Sequence, residues 1–136
     1  MKSTTIFVGG TPIPQGSLTI YGRGQYAHTQ PGLAAWRDRV RYCTLDALRR
    51  NGWTLPYDGP VAVSVTFHLP RPKSVKRPWP SVKPDLDKLQ RAIGDALAPR
   101  TGPKILTEDS RIIEWHSYKR YAEGEPGVLI TISQLD

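Results

Sequence analysis

The sequence predicts an α+β fold. Two stretches repeat apolar residues at intervals of three and four, the helical period, and several others alternate apolar with polar residues, the period of a half-buried strand. At 136 residues the chain is expected to form one domain, 1–136, with enough apolar content to bury a core without staples.

Each element follows from its own pattern. TTIFV reads as a short strand, GGTPIPQGS breaks it, and LTIY resumes an extended pattern, so a hairpin-like start is expected. YGRGQYAHTQPG reads as loop. Leu33, Trp36, Val40, Cys43 and Ala47 then mark the apolar stripe of a helix of about four turns, with Arg37, Arg39, Arg41, Arg49 and Arg50 mostly turned elsewhere. Asn51-Gly52 stops it. Trp36 and Cys43 belong to the stripe and are expected in the core. In PVAVSVTFHLP, Val61, Val63, Val65, Phe67 and Leu69 alternate with Ala62, Ser64, Thr66 and His68, a half-buried strand with His68 on its polar face. RIIEWHSYKRY and GVLITISQL, joined by AEGEPG, read as two more strands with a turn between them.

Charge narrows the function. The chain carries 19 basic and 12 acidic residues, net +7, which favours a polyanionic partner. The charge is concentrated at positions 70 to 84, where five prolines, five basic residues and one tryptophan occur without an acid. Prolines keep such a segment extended, and Arg71, Lys73, Lys76, Arg77 and Lys83 repel one another unless a polyanion lies alongside. We expect a flexible nucleic-acid-binding loop, with Trp79 stacking on an exposed base. The single Cys43 excludes an internal disulfide and has no zinc-ligand cluster around it, so a reducing, cytoplasmic setting is expected. No apolar run approaches the roughly 18 residues of a membrane span, so no membrane partner is expected.

The chemistry centres on KPDLDKLQRAIGDAL, residues 83 to 97. Leu86, Leu89, Ala92, Ile93, Ala96 and Leu97 form one face of a second helix. Asp87, with Gln90 three residues on, matches an N-cap and its reciprocal partner in a capping box. Capping leaves Asp85 unexplained, and an extended chain here would point both carboxylates to one side. A divalent cation would relieve their repulsion, and magnesium takes carboxylate oxygens. A further ligand is available in LTEDSRII, where Glu108 and Asp109 precede a strand; taken singly, these two read as turn formers. Asp95, about 12 Å along the helix from Asp87 at 1.5 Å per residue, reads as structural or as a partner for Arg91. His116 has no acid or nucleophile at suggestive spacing, and Trp115 reads as core or interface.

In order and spacing these features resemble the RusA-type Holliday-junction resolvases: DLD at 85 to 87, Arg91, DAL at 95 to 97, Glu108-Asp109, then a strand carrying Lys119. The resemblance covers the C-terminal half well and the N-terminal half loosely. It implies a small mixed β-sheet packed with two main helices, a homodimer, an intracellular setting of bacterial or phage type, and metal-dependent cleavage of branched DNA such as the four-way junction. Magnesium, with manganese able to substitute, is the implied cofactor. Asp85, Asp87 and Asp109 become the metal-binding and catalytic acids with Glu108 beside them, and Arg91 takes the place of a catalytic basic residue. Arg71, Lys73, Lys76, Arg77, Trp79, Lys83, Lys88, Arg91 and Lys119 become the DNA contacts. Three positions depart from the pattern: Lys88 stands where asparagine is usual, Glu108 where aspartate is, and Arg91 where lysine is. Arginine holds its proton at neutral pH, so Arg91 can clamp a phosphate and cannot act as a base. A flap or fork nuclease, and a non-catalytic basic DNA-binding module, are the competing expectations.

Overall fold

The computed structural model describes residues 1–16, 18–21, 25–28 and 31–136. The elements run β1 (Ser3–Gly9), β2 (Leu18–Tyr21), β3 (Gln25–His28), α1 (Leu33–Arg50), β4 (Val61–Leu69), α2 (Leu86–Leu97), a 3₁₀ turn (Asp109–Arg111), β5 (Ile112–Tyr121) and β6 (Gly127–Gln134). The main sheet has four strands in the order β1-β6-β4-β5, and β2 pairs with β3 apart from it. β6 is antiparallel to both its neighbours, whereas β5 runs parallel to β4. The fold is therefore α+β with a mixed sheet and two helices, as the sequence predicts.

Alternation places the core. Val61, Val63, Val65, Phe67 and Leu69 are buried along β4 while the residues between them stay half-exposed. Leu33, Trp36, Val40, Leu45 and Leu48 of α1 and Leu89, Ala92, Ile93, Ala96 and Leu97 of α2 complete one cluster with β4 and β6. Phe67 is wholly buried near the end of β4, and its truncation to alanine would cost about 3–5 kcal/mol. Trp36 is buried as expected, and Cys43 packs half-buried against the same cluster.

α1 ends as its sequence dictates. Gly52 takes φ 79, a left-handed conformation that costs other residues roughly 1–2 kcal/mol. The N–H groups of Gly52 and Trp53 then return to the carbonyls of Arg49 and Leu48 at 3.1 and 3.0 Å. Among the described residues no helix is long and apolar enough to cross a membrane.

Three expectations change. β1 pairs with β6 rather than forming a hairpin with LTIY, because the break after Gly9 carries the chain away and the alternating edge of β6 matches β1 residue for residue. Part of the expected loop, Gln25–His28, is a strand paired with β2; residues 22–24, 29 and 30 of that loop lie outside the described residues. β5 and β6, read as neighbours across a turn, are separated by β4, so residues 122–126 cross the end of that strand.

Candidate functional site

β4, α2 and β5 form a βαβ crossover, as parallel strands require, and the candidate residues lie along its connections. The chain is still extended at Asp85, φ −70 and ψ 139, and the Asp85 carbonyl accepts the Leu89 N–H at 3.1 Å. Asp85 is thus the N-cap residue, two positions before the expected cap, and Asp87 stands in the first turn. No side chain caps the helix. Gln90 does not reach back either; its carbonyl accepts the Ser117 hydroxyl on β5 at 2.5 Å. Strand-like alternation ends at the cap, so the two carboxylates do not share a side.

Their surroundings differ accordingly. Asp87 lines a cleft of about 470 Å³ together with Arg91, Asp95, Asp109, Ser110 and Trp115. Asp85 lines a neighbouring cavity of similar size with Pro12, Pro14, Gln15, Lys83 and Lys88, and its carboxylate lies 3.9 Å from Lys88 Nζ. Among the described residues Asp87, Arg91 and Asp109 make no side-chain hydrogen bond or ion pair. Asp95 pairs with Arg37 of α1 at 3.5 Å, not with Arg91, and the same Arg37 nitrogen approaches Gln15 Oε1 at 3.5 Å.

The turn that carries Asp109 is tied down from both sides. Arg111 reaches Glu108 at 3.1 Å and Asp58 at 3.0 Å, and the Thr107 hydroxyl donates to Asp58 at 2.5 Å. The Thr107 hydrogen bond and then the Arg111 guanidinium hold the Asp58 carboxyl below its ordinary value of 3.8. Glu108 is therefore engaged with Arg111 and lies outside the cleft. Asp58, Arg111, Arg37 and Gln15 escaped the sequence reading because each acts through a partner far along the chain. The one local signal is the turn-forming run TLPYDGP around Asp58.

The expected DNA contacts divide into two groups. Lys73, Lys76, Trp79 and Lys83 are exposed, Trp79 at 61%. Arg71 and Arg77 are exposed too but engaged within the protein: Arg71 lies over the ring of Tyr121, 4.2 Å from its centroid, and Arg77 Nε donates to the Tyr121 hydroxyl at 3.0 Å. Lys119 donates to the carbonyls of Val82 and Pro84 at 2.8 and 2.9 Å. Lys88 is half-buried beside Asp85. His116 does meet an acid, Glu114, at 3.3 Å, and Trp115 forms part of the cleft as well as packing on the core.

Whether these acids suit magnesium is a question of donors and number. Among the described residues no three acid, histidine or cysteine side chains come together as a metal-holding group. Magnesium keeps several waters, however, and one or two carboxylates plus a substrate phosphate commonly complete its shell. Asp87 and Asp109, hard oxygen donors without other partners among the described residues, fit that requirement.

Residues 9–133 match the family described as Endodeoxyribonuclease RusA. The chain belongs to the RusA endodeoxyribonuclease family. It is 22% identical over 132 residues to the crossover junction endodeoxyribonuclease RusA of Aquifex aeolicus, covering 97% of this chain and 92% of that protein. Family membership sets aside the non-catalytic module.

Proposed function

We propose that this protein resolves Holliday junctions by hydrolysing one phosphodiester in each of two opposed strands, with magnesium as cofactor and manganese able to replace it. The observation that carries this reading is the cleft in which Asp87 and Asp109 accompany the guanidinium of Arg91, all three without partners among the described residues. Asp87 and Asp109 would hold the ion, which supplies a water of lowered pKa and charge opposite the scissile phosphate. Arg91 clamps a non-bridging phosphate oxygen and stabilises the charge that develops there. Trp115 walls one side of the cleft and limits water around the reacting phosphate. Asp85 stays in the proposed set through the DLD motif, although it lines the adjoining cavity, and Glu108 acts by holding Arg111. Lys73, Lys76, Lys83 and Trp79 meet the junction arms.

Junction resolution needs two matched incisions, and a two-fold protein offers two clefts to a nearly two-fold substrate. The sheet face away from the core supports a homodimer. It carries Phe7, Leu129, Thr66 and Tyr118 in register across four strands, with Tyr118 60% exposed. Glu114 and Arg120 lie on the same face of β5, so two copies laid face to face about a two-fold axis can set each acid opposite the other copy's arginine. A DNA substrate and an unpaired Cys43 support action inside the cell.

The test is cleavage of an end-labelled four-way junction with and without magnesium. Paired cuts that require magnesium are expected. A preference for flapped or linear DNA would overturn the resolvase assignment and leave a nuclease of another substrate class.

A further inference from the structure

The basic loop is held at both ends by one strand. Lys119 and Tyr121 stand two residues apart on β5, in register with Phe67 and Leu69, so both turn toward the helix-covered face of the sheet. Tyr121 is buried, and it takes Arg71 on its ring and Arg77 on its hydroxyl. Arg71 also donates to the Arg77 carbonyl at 2.7 Å, which closes residues 71–77 into a hoop. At the far end, Lys119 places two of its three N–H donors on the Val82 and Pro84 carbonyls, the latter immediately before Asp85 and two residues before the first turn that carries Asp87. Two cations from the loop and one from the strand are thus engaged in shaping the loop. Lys73, Lys76 and Lys83 remain without partners among the described residues.

From this geometry we infer that Tyr121 and Lys119 are positioning residues that set which phosphodiester is cut. The inference rests on the resolvase reading of the Asp87 cleft. The loop grips DNA through its free lysines, and the two β5 residues fix the distance from that grip to the carboxylates. Lys119, on this view, touches no DNA. It transmits the strand's position to the α2 entrance, as the Ser117–Gln90 hydrogen bond does one turn further along.

The experiment compares wild type with Tyr121→Phe, which keeps the ring and loses only the hydroxyl acceptor, and with Lys119→Met. The first readout needs no DNA: trypsin cleavage after Lys73 and Lys76, the loop sites not followed by proline. Release of the loop should speed that cleavage about tenfold, the effect of a modest rise in the open population. The second readout is the cut pattern on a junction whose crossover cannot migrate. Wild type should cut one phosphodiester per strand, while the variants should spread their cuts over neighbouring positions with junction affinity little changed. A merely structural role would lower stability and leave the position of the cut where it was. Unchanged trypsin cleavage overturns the clamp, and accelerated cleavage with cuts still at the wild-type phosphodiester overturns the positioning role. If Lys119→Met does not fold, Tyr121→Phe decides alone. If wild type leaves junctions intact in magnesium, the resolvase reading falls and the trypsin comparison still judges the clamp.

Discussion

Asp85 and Asp87 stand two positions apart and invite opposite tests. Asp87→Asn should reduce junction cleavage by roughly a hundredfold or more, the rate equivalent of about 3 kcal/mol of lost transition-state stabilisation, while binding and melting temperature stay near wild type. Asp109→Asn should behave alike, because both residues line the cleft. Asn is as good as Asp at the N-cap, so Asp85→Asn should leave α2 intact, and any fall in its cleavage rate measures a role for that carboxylate beyond helix entry. Single-turnover cleavage and a thermal melt of each variant decide these. At this scale the sequence was legible where function is written locally. The DLD spacing, Arg91 and Asp109 are each visible within a few positions, and three of them reach one cleft. The N-cap was misplaced by two residues because both acids are good caps and Gln90 favours Asp87 in a capping box, whereas in the fold Gln90 accepts from Ser117 on β5. Arg37 on Asp95 was invisible, since the two are separated by 58 positions and meet only when α1 packs on α2.

Between the residue and the fold, the 107–111 turn depends on Asp58 for its shape. Because the Asp58 carboxyl is lowered in the folded chain, its contribution to stability is present above the unfolded value and is lost as pH falls through the depressed one. The melting-temperature gap between wild type and Asp58→Asn should therefore be widest at about pH 6 and narrow as pH falls below the ordinary carboxylate range. The same variant should lose roughly tenfold in cleavage, since it frees the turn that presents Asp109. The basic loop answers to salt. Lys73→Ala with Lys76→Ala should lower the slope of log affinity on log salt by about 2, near 0.9 for each phosphate contact, whereas Arg77→Ala should act through the loop's shape. A slope unchanged by the lysine pair would move the DNA grip elsewhere, to the arginines of α1. Both helices and the central strand were legible because their periods are long and clean. The extra strand at Gln25–His28 was not, for four residues among glycines and prolines carry too little alternation to outweigh the breaks.

For the whole molecule, the proposed homodimer brings two clefts to one junction. Mixing wild-type subunits with Asp87→Asn should yield heterodimers that make one incision and leave nicked junctions, whereas wild type alone gives linear duplexes that ligase seals; denaturing gels before and after ligation separate the outcomes. Charge replacement on the open sheet face, Tyr118→Glu, should convert a dimer to a monomer in sedimentation. The topology of that sheet was hidden from a linear reading, because order and direction are set by partners far apart and alternation alone does not name them.

The pairing of β1 with β6 bears on how the protein is born. Ser3 and Ser133, 130 positions apart, share a hydrogen bond of 2.8 Å, and β6 also stands between β1 and the central strand. During synthesis at roughly 5–20 residues per second, β1 leaves the ribosome roughly 6–24 s before the strand it needs. Until then β4 lacks one neighbour, and Phe67 lacks Val128, its register partner on β6. Contacts of such long span also make folding slow relative to helical proteins of this size. The sheet on which α2 and the cleft rest is therefore complete only once β6 has been made, well after Asp109, the last acid of the cleft.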